Sequence, residues 1–172
     1  MKTRSWMIGV IAVASGLMVA QGAASTVTFN FGSSVGTTSP SGTTTSFTVG
    51  SMSIGNTLGS IATNPNTTNP SSGYTGSSGT FNYDQITQNG TTLNTASSAY
   101  YQFTVDPDPG FFVQLTDFDF GALSTTTTGP LSYVLRWSVD GYAANITSGS
   151  LSRGSSWALK NNTFTAATST TA

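Results

Sequence analysis

The sequence predicts an all-β protein, an antiparallel β-sandwich of jelly-roll-like kind, and three observations predict it. Apolar residues alternate with hydroxyl and amide residues in several short segments, the period of a half-buried strand. Turn-forming dipeptides separate those segments at short spacing, and no strong helical periodicity follows residue 25. The 172 residues include 31 Thr and 26 Ser, and Thr, being β-branched, sits well on a pleated surface.

The segments are taken in order. Thr26-Val27-Thr28-Phe29-Asn30-Phe31 puts Val27, Phe29 and Phe31 on one face. Residues Thr45 to Val49 repeat the pattern with Phe47 and Val49. Tyr101, Phe103 and Val105 form a third apolar face, with Tyr100, Gln102 and Thr104 outward. Between Phe111 and Phe120 the phase slips. Val113 and Leu115 are in step and so are Phe118 and Phe120, but Phe118 comes three positions after Leu115. One extra residue near Thr116-Asp117, a β-bulge or a change of sheet, restores the facing and sends Asp117 and Asp119 outward. The longest alternation is Leu131, Tyr133, Leu135, Trp137 and Val139, the first candidate for a central strand. Turns are expected at Asn89-Gly90, Asp106-Pro107-Asp108-Pro109-Gly110, Gly129-Pro130 and Asp140-Gly141. The Ser/Thr/Asn/Pro/Gly-rich stretch 64–79 reads as a long surface loop.

Residues 1–24 have the composition of an export signal. Lys2 and Arg4 precede an apolar run from Trp6 to Ala20, and Gln21-Gly22-Ala23-Ala24 supplies small residues for cleavage after Ala24. The run is about 15 residues, short of the roughly 20 that span a bilayer. Residues 25–172 are then one β-sandwich domain, exported to the cell surface or the extracellular space, and the mature chain as given inserts in no membrane.

Removing the leader leaves Arg136, Arg153 and Lys160 against six Asp, a net charge of 3 − 6 = −3. Three scattered cations cannot neutralise a run of phosphates, so nucleic acid is not an expected partner. The chain has no Cys, no His and no Glu, which excludes a Ser-His-Asp triad, a Cys nucleophile, a His-based zinc site and disulfides. No catalytic residue is assigned.

Three groups of residues are candidates for chemistry. Asp117 and Asp119 lie roughly 6 to 7 Å apart if both are in a strand. Glycoside hydrolysis needs two carboxylates about 5 to 9 Å apart, but a solvated strand face gives neither acid a raised pKa. Asp106 and Asp108, followed by Gly110, resemble the first half of a calcium loop without its later ligands. They are the metal candidates, with calcium the one cofactor considered; the competing reading is a plain corner. Calcium binding there predicts a higher Tm with calcium than with chelator. Tyr74, Tyr100, Tyr142 and Trp157 fall off the apolar faces and are the candidates for stacking on sugar rings. Sequons occur at Asn66, Asn89, Asn145 and Asn161.

The segments SSAYYQFTVDPDPGFFVQLTDFDFGALST and TTGPLSYVLRWSVDGYAANITSGSL, with SSGYTGSSG upstream, resemble exported bacterial proteins sorted by a Pro-Glu-Pro C-terminal signal, the PEP-CTERM group. The likeness covers most of the chain after the leader, in the order and spacing of its aromatic strand, Pro-Gly turn, Leu/Phe strand and Ser-x-Asp-Gly-aromatic segment. It implies a β-sandwich surface protein and carries over no catalytic residue. The group's Pro-Glu-Pro, apolar helix and Arg cluster are not found before Ala172. The expectation is a fragment cut before its last strands, since a sandwich short of a strand leaves an unpaired edge; the other reading is a shortened, released member. The expected function is a non-enzymatic role in adhesion or structure, with surface or matrix polysaccharide or protein as partner. The alternative is a carbohydrate-binding module, accessory to an enzyme outside this chain.

Overall fold

The computed structural model describes residues 5–8, 14–20, 23–29, 39–42, 44–55, 71–75, 77, 100–124 and 130–168. Its strands are β1 (Ser5–Ile8), β2 (Ala14–Ala20), β3 (Ala23–Thr28), β4 (Phe47–Val49), β5 (Ser53–Gly55) and β6 (Tyr100–Pro107). They continue with β7 (Val113–Asp117), β8 (Asp119–Ala122), β9 (Ser132–Trp137), β10 (Thr147–Ser150), β11 (Ala158–Lys160) and β12 (Thr163–Thr168). Among the described residues the only helical element is one 3-10 turn, Ser138–Asp140. The fold is all-β, and the strands pair antiparallel throughout.

The described residues form two sheets. One runs β10-β9-β1-β6-β4 with β5 also paired to β6, and the other runs β11-β8-β2-β7-β12 with β3 paired to β2. In the stretch that reads as an export leader, β1 lies between β9 and β6. In the same stretch β2 lies between β3 and β7. No helix among the described residues is long and apolar enough to cross a membrane, which leaves β-barrel spanning unaddressed.

Alternation sets which side chains are buried. Along β6 every second residue is buried, Tyr101, Phe103, Val105 and Pro107, while Tyr100, Gln102, Thr104 and Asp106 are half-buried. Val27, Phe29, Phe47, Tyr133 and Leu135 are buried as the pattern predicts, and Val49 and Trp137 pack on the same core while partly exposed. Leu131 departs from the pattern: it precedes β9 and is 48% exposed. Val139 departs as well, because the strand ends at Trp137 and the chain turns into the 3-10 helix. β9 is nonetheless an interior strand, flanked by β10 and β1.

The phase slip is present where the spacing places it. From Leu115 to Asp119 the β7–β8 segment advances four residues while its partner β2 advances three, Met18 to Ser15. The extra residue lets Phe118 and Phe120 face inward along with Val113 and Leu115.

Aromatic rings link the two sheets. Phe29, just past β3, lies 5.0 Å from Phe103 of β6, and Phe103 lies 6.3 Å from Phe118. Phe118 contacts Phe120 at 5.7 Å, and Phe120 meets Tyr133 of β9 edge-on at 4.8 Å. Such pairs add about 0.5–1.5 kcal/mol each to the burial of the rings. The turn at Asn89-Gly90, Asn30, Phe31, Thr125 to Gly129 and most of 64–79 lie outside the described residues.

Candidate functional site

Asp106 and Asp108 are separated by the end of a strand. Asp106 is half-buried in β6 opposite Thr48, whereas Asp108 is exposed in the corner. The Asp108 N–H donates to the Ser46 carbonyl at 2.9 Å, and its own carbonyl accepts from Phe111 N–H at 3.0 Å. The corner therefore starts at Asp108 rather than Asp106, because Pro107 is still paired with Phe47. Among the described residues no three His, Cys, Asp or Glu side chains gather closely enough to hold a metal ion.

The aromatic candidates are dispersed over different elements. Tyr74 lies over Gly121 of β8, where an added Cβ would overlap its ring, and its hydroxyl is buried without a hydrogen-bond partner among the described residues. Tyr100 opens β6 opposite Gly55 and is half-buried. Trp157 precedes β11 and packs against the core. Tyr142 stands in the loop between β9 and β10.

Asp117 and Asp119 are not a free pair on a solvated face. Both are half-buried; Asp117 Oδ2 accepts from Thr116 Oγ1 at 3.1 Å, and Asp119 Oδ1 accepts the backbone N–H of Asn162 at 2.9 Å. Asn162, in the corner between β11 and β12, is buried and its polar groups are engaged. Its amide NH2 donates to the Phe118 carbonyl at 2.8 Å, its Oδ1 accepts from the Tyr133 hydroxyl at 2.6 Å, and its carbonyl accepts from Phe118 N–H at 2.9 Å. The bulge, the β11–β12 corner and the opposite sheet are thus tied by one side chain. Burial pushes the Tyr133 phenol above its ordinary range; the bond to Asn162 works against this, and the nearby Asp119 carboxylate adds to it.

Among the described residues the β9–β10 loop, which bears Tyr142, is tied by hydrogen bonds along its length. The 3-10 turn ends in a Schellman pattern, with Gly141 N–H donating to the Ser138 carbonyl at 3.1 Å and Tyr142 N–H to that of Trp137 at 3.0 Å. Gly141 takes the left-handed conformation this ending requires, at φ 70. Tyr142 is left-handed too, at φ 63, which costs a residue with a Cβ about 1 kcal/mol or more. The Asp140 carboxylate accepts the next two free N–H groups, Ala143 at 3.2 Å and Ala144 at 3.0 Å. From the strand below, Arg136 donates through Nε to Asn145 Oδ1 and through Nη1 to the Tyr142 carbonyl, each at 2.7 Å. Ile146 N–H then returns to the Leu135 carbonyl at 2.8 Å and the hairpin resumes.

A scan of protein-family models, a search of curated proteins and a search of solved structures each return nothing for this chain.

What the loop can do follows from its composition. It holds an aromatic ring, a carboxylate, an amide and a guanidinium in fixed relation, with Asp140 and Asn145 exposed and Tyr142 and Arg136 half-buried. That is a binding inventory: it has donors, acceptors and a π-face but no nucleophile paired with a base. The sequence flags Tyr142 as an off-face aromatic, Asp140-Gly141 as a turn and Asn145 as a sequon. Their union depends on Arg136, whose place on an outward strand position reveals nothing about the loop it reaches.

Proposed function

We propose that the chain is an exported, non-enzymatic β-sandwich that acts at the cell surface or in the extracellular matrix through adhesion or structural association. One observation carries the reading: the polar side chains that the fold gathers are spent on the fold. Asp119, Asn162 and Tyr133 bond along one path through the core, out of reach of a substrate. A catalytic pair has to be held and still be available to substrate. Ring contacts between the sheets support the sandwich arrangement. The cationic start and apolar run of residues 1–24 support export, and the likeness to PEP-CTERM surface proteins over Tyr100 to Leu151 agrees with both. Calcium at Asp106 and Asp108 belongs to the same proposal as a stabiliser of the corner.

Fractionation of producing cells, followed by pull-down with cell-wall and exopolysaccharide fractions, tests the reading. The expected result is recovery from the surface or medium and retention on one of those fractions. Recovery from the cytoplasm with residues 1–24 intact would overturn it. A second reading, a carbohydrate-binding module, is favoured by the rigid loop around Tyr142; loss of retention after glycosidase treatment of the fractions, but not after protease treatment, selects it.

A further inference from the structure

We propose that the β9–β10 loop is a binding site for a neutral pyranose unit of a polysaccharide, with the Tyr142 ring as stacking face and Asp140 and Asn145 as readers of sugar hydroxyls. This rests on the carbohydrate reading above and assigns it a place and a ligand class.

Backbone strain at Tyr142 is the first observation. Gly141 already supplies the left-handed residue that the 3-10 ending requires, so the turn itself does not call for a second. Where a second does occur, glycine or asparagine would hold it with less strain than tyrosine. Seven hydrogen bonds nonetheless fix this loop, two on the backbone of Tyr142 itself. A backbone held this way fixes the point from which the ring projects, so less freedom is lost when a ligand stacks on it.

Position and polarity supply the rest. Among the described residues β10 is the outermost strand of its sheet, so the loop lies at an edge. Arg136 fixes Asn145 through its Oδ1, which leaves the amide NH2 to donate elsewhere. Asp140 uses one lone pair of each oxygen on Ala143 and Ala144 and keeps others to accept from hydroxyls. A pyranose offers an apolar C–H face for the ring and a rim of hydroxyls that both donate and accept. Charge selects a neutral sugar: the cation that reaches the loop, Arg136 of β9, is bonded to two loop oxygens, and the loop itself carries the Asp140 carboxylate. A phosphate or sulfate chain would find no row of free cations here.

Isothermal titration of the full chain against the neutral polymers dextran, mannan, galactan and xylan, with alginate and heparin as charged probes, tests the proposal. The expected result is binding to at least one neutral polymer, retained in Tyr142→Phe and weakened about tenfold or more in Tyr142→Ala. Asn145→Ala is expected to weaken it as well. Circular dichroism checks that each variant is folded. Binding of a neutral polymer that Tyr142→Ala leaves unchanged would overturn the site while the carbohydrate reading stands. Binding of none of the neutral polymers, or of alginate and heparin alone, would overturn both.

Discussion

Asn162 shows how much a single polar residue can decide in a chain with so few charges. Its amide joins Tyr133 of one sheet to the Phe118 carbonyl of the other, at 2.6 and 2.8 Å. Asn162→Ala strands the Tyr133 hydroxyl and the Phe118 carbonyl in the core, and is expected to cost about 2–3 kcal/mol. Tyr133→Phe, which removes one donor and keeps the ring on Phe120, should cost about 1–2 kcal/mol. Urea unfolding of both variants measures the difference. The phenol also sets an alkaline limit. Below the ordinary tyrosine value of 10.0 it is protonated in both folded and unfolded chains, and its contribution is whole. Above that value ionisation is opposed only in the folded chain, so stability drains as pH rises through the raised folded value. The chain should therefore lose stability more steeply above pH 10 than Tyr133→Phe does. Tyr133 is legible in the sequence as a core residue, because alternation shows it. Asn162 is not, because an Asn beside another Asn and a Thr reads as a turn, and its partners stand 29 and 44 residues away.

At the scale of elements, the alternating strands and the bulge are legible because both follow from side-chain period alone. The elements that depart do so through local chemistry. Val139 leaves the strand because the chain enters a 3-10 turn closed by Gly141, and Pro107 stays in the ladder opposite Phe47 although proline suggests a corner. Close approach between strands is another such term. Gly149 of β10 stands directly opposite Tyr133 of β9, and an added Cβ would overlap the tyrosine ring. Gly149→Ala should therefore push the ring off its bond to Asn162, at a cost of about 1–3 kcal/mol. In Tyr133→Leu the same substitution meets no ring and should cost far less. A double-mutant cycle by thermal unfolding reads that coupling, and purely additive effects would show that the glycine is kept for another reason.

Across the whole molecule, the N-terminal 24 residues carry two meanings that compete. Their composition is that of an export leader, while β1 and β2, drawn from them, are interior strands of the two sheets. Cleavage after Ala24 removes both. It leaves β9 without β1 beside residues 135–137 and β6 without β1 beside residues 101–104, and it takes β2 away from β3. The backbone groups freed at those positions must find water or another strand. Intact-mass analysis of exported protein should show a chain that begins at Ser25. Hydrogen exchange then compares that chain with one that keeps residues 1–24. The sheet order predicts faster exchange of the amides at 101–104 and 135–137 once residues 1–24 are gone, because each of those segments has lost β1 from its side. Equal protection in both chains would mean that other strands fill these places in the exported protein, and that the order through residues 5–8 is not the order in which it works.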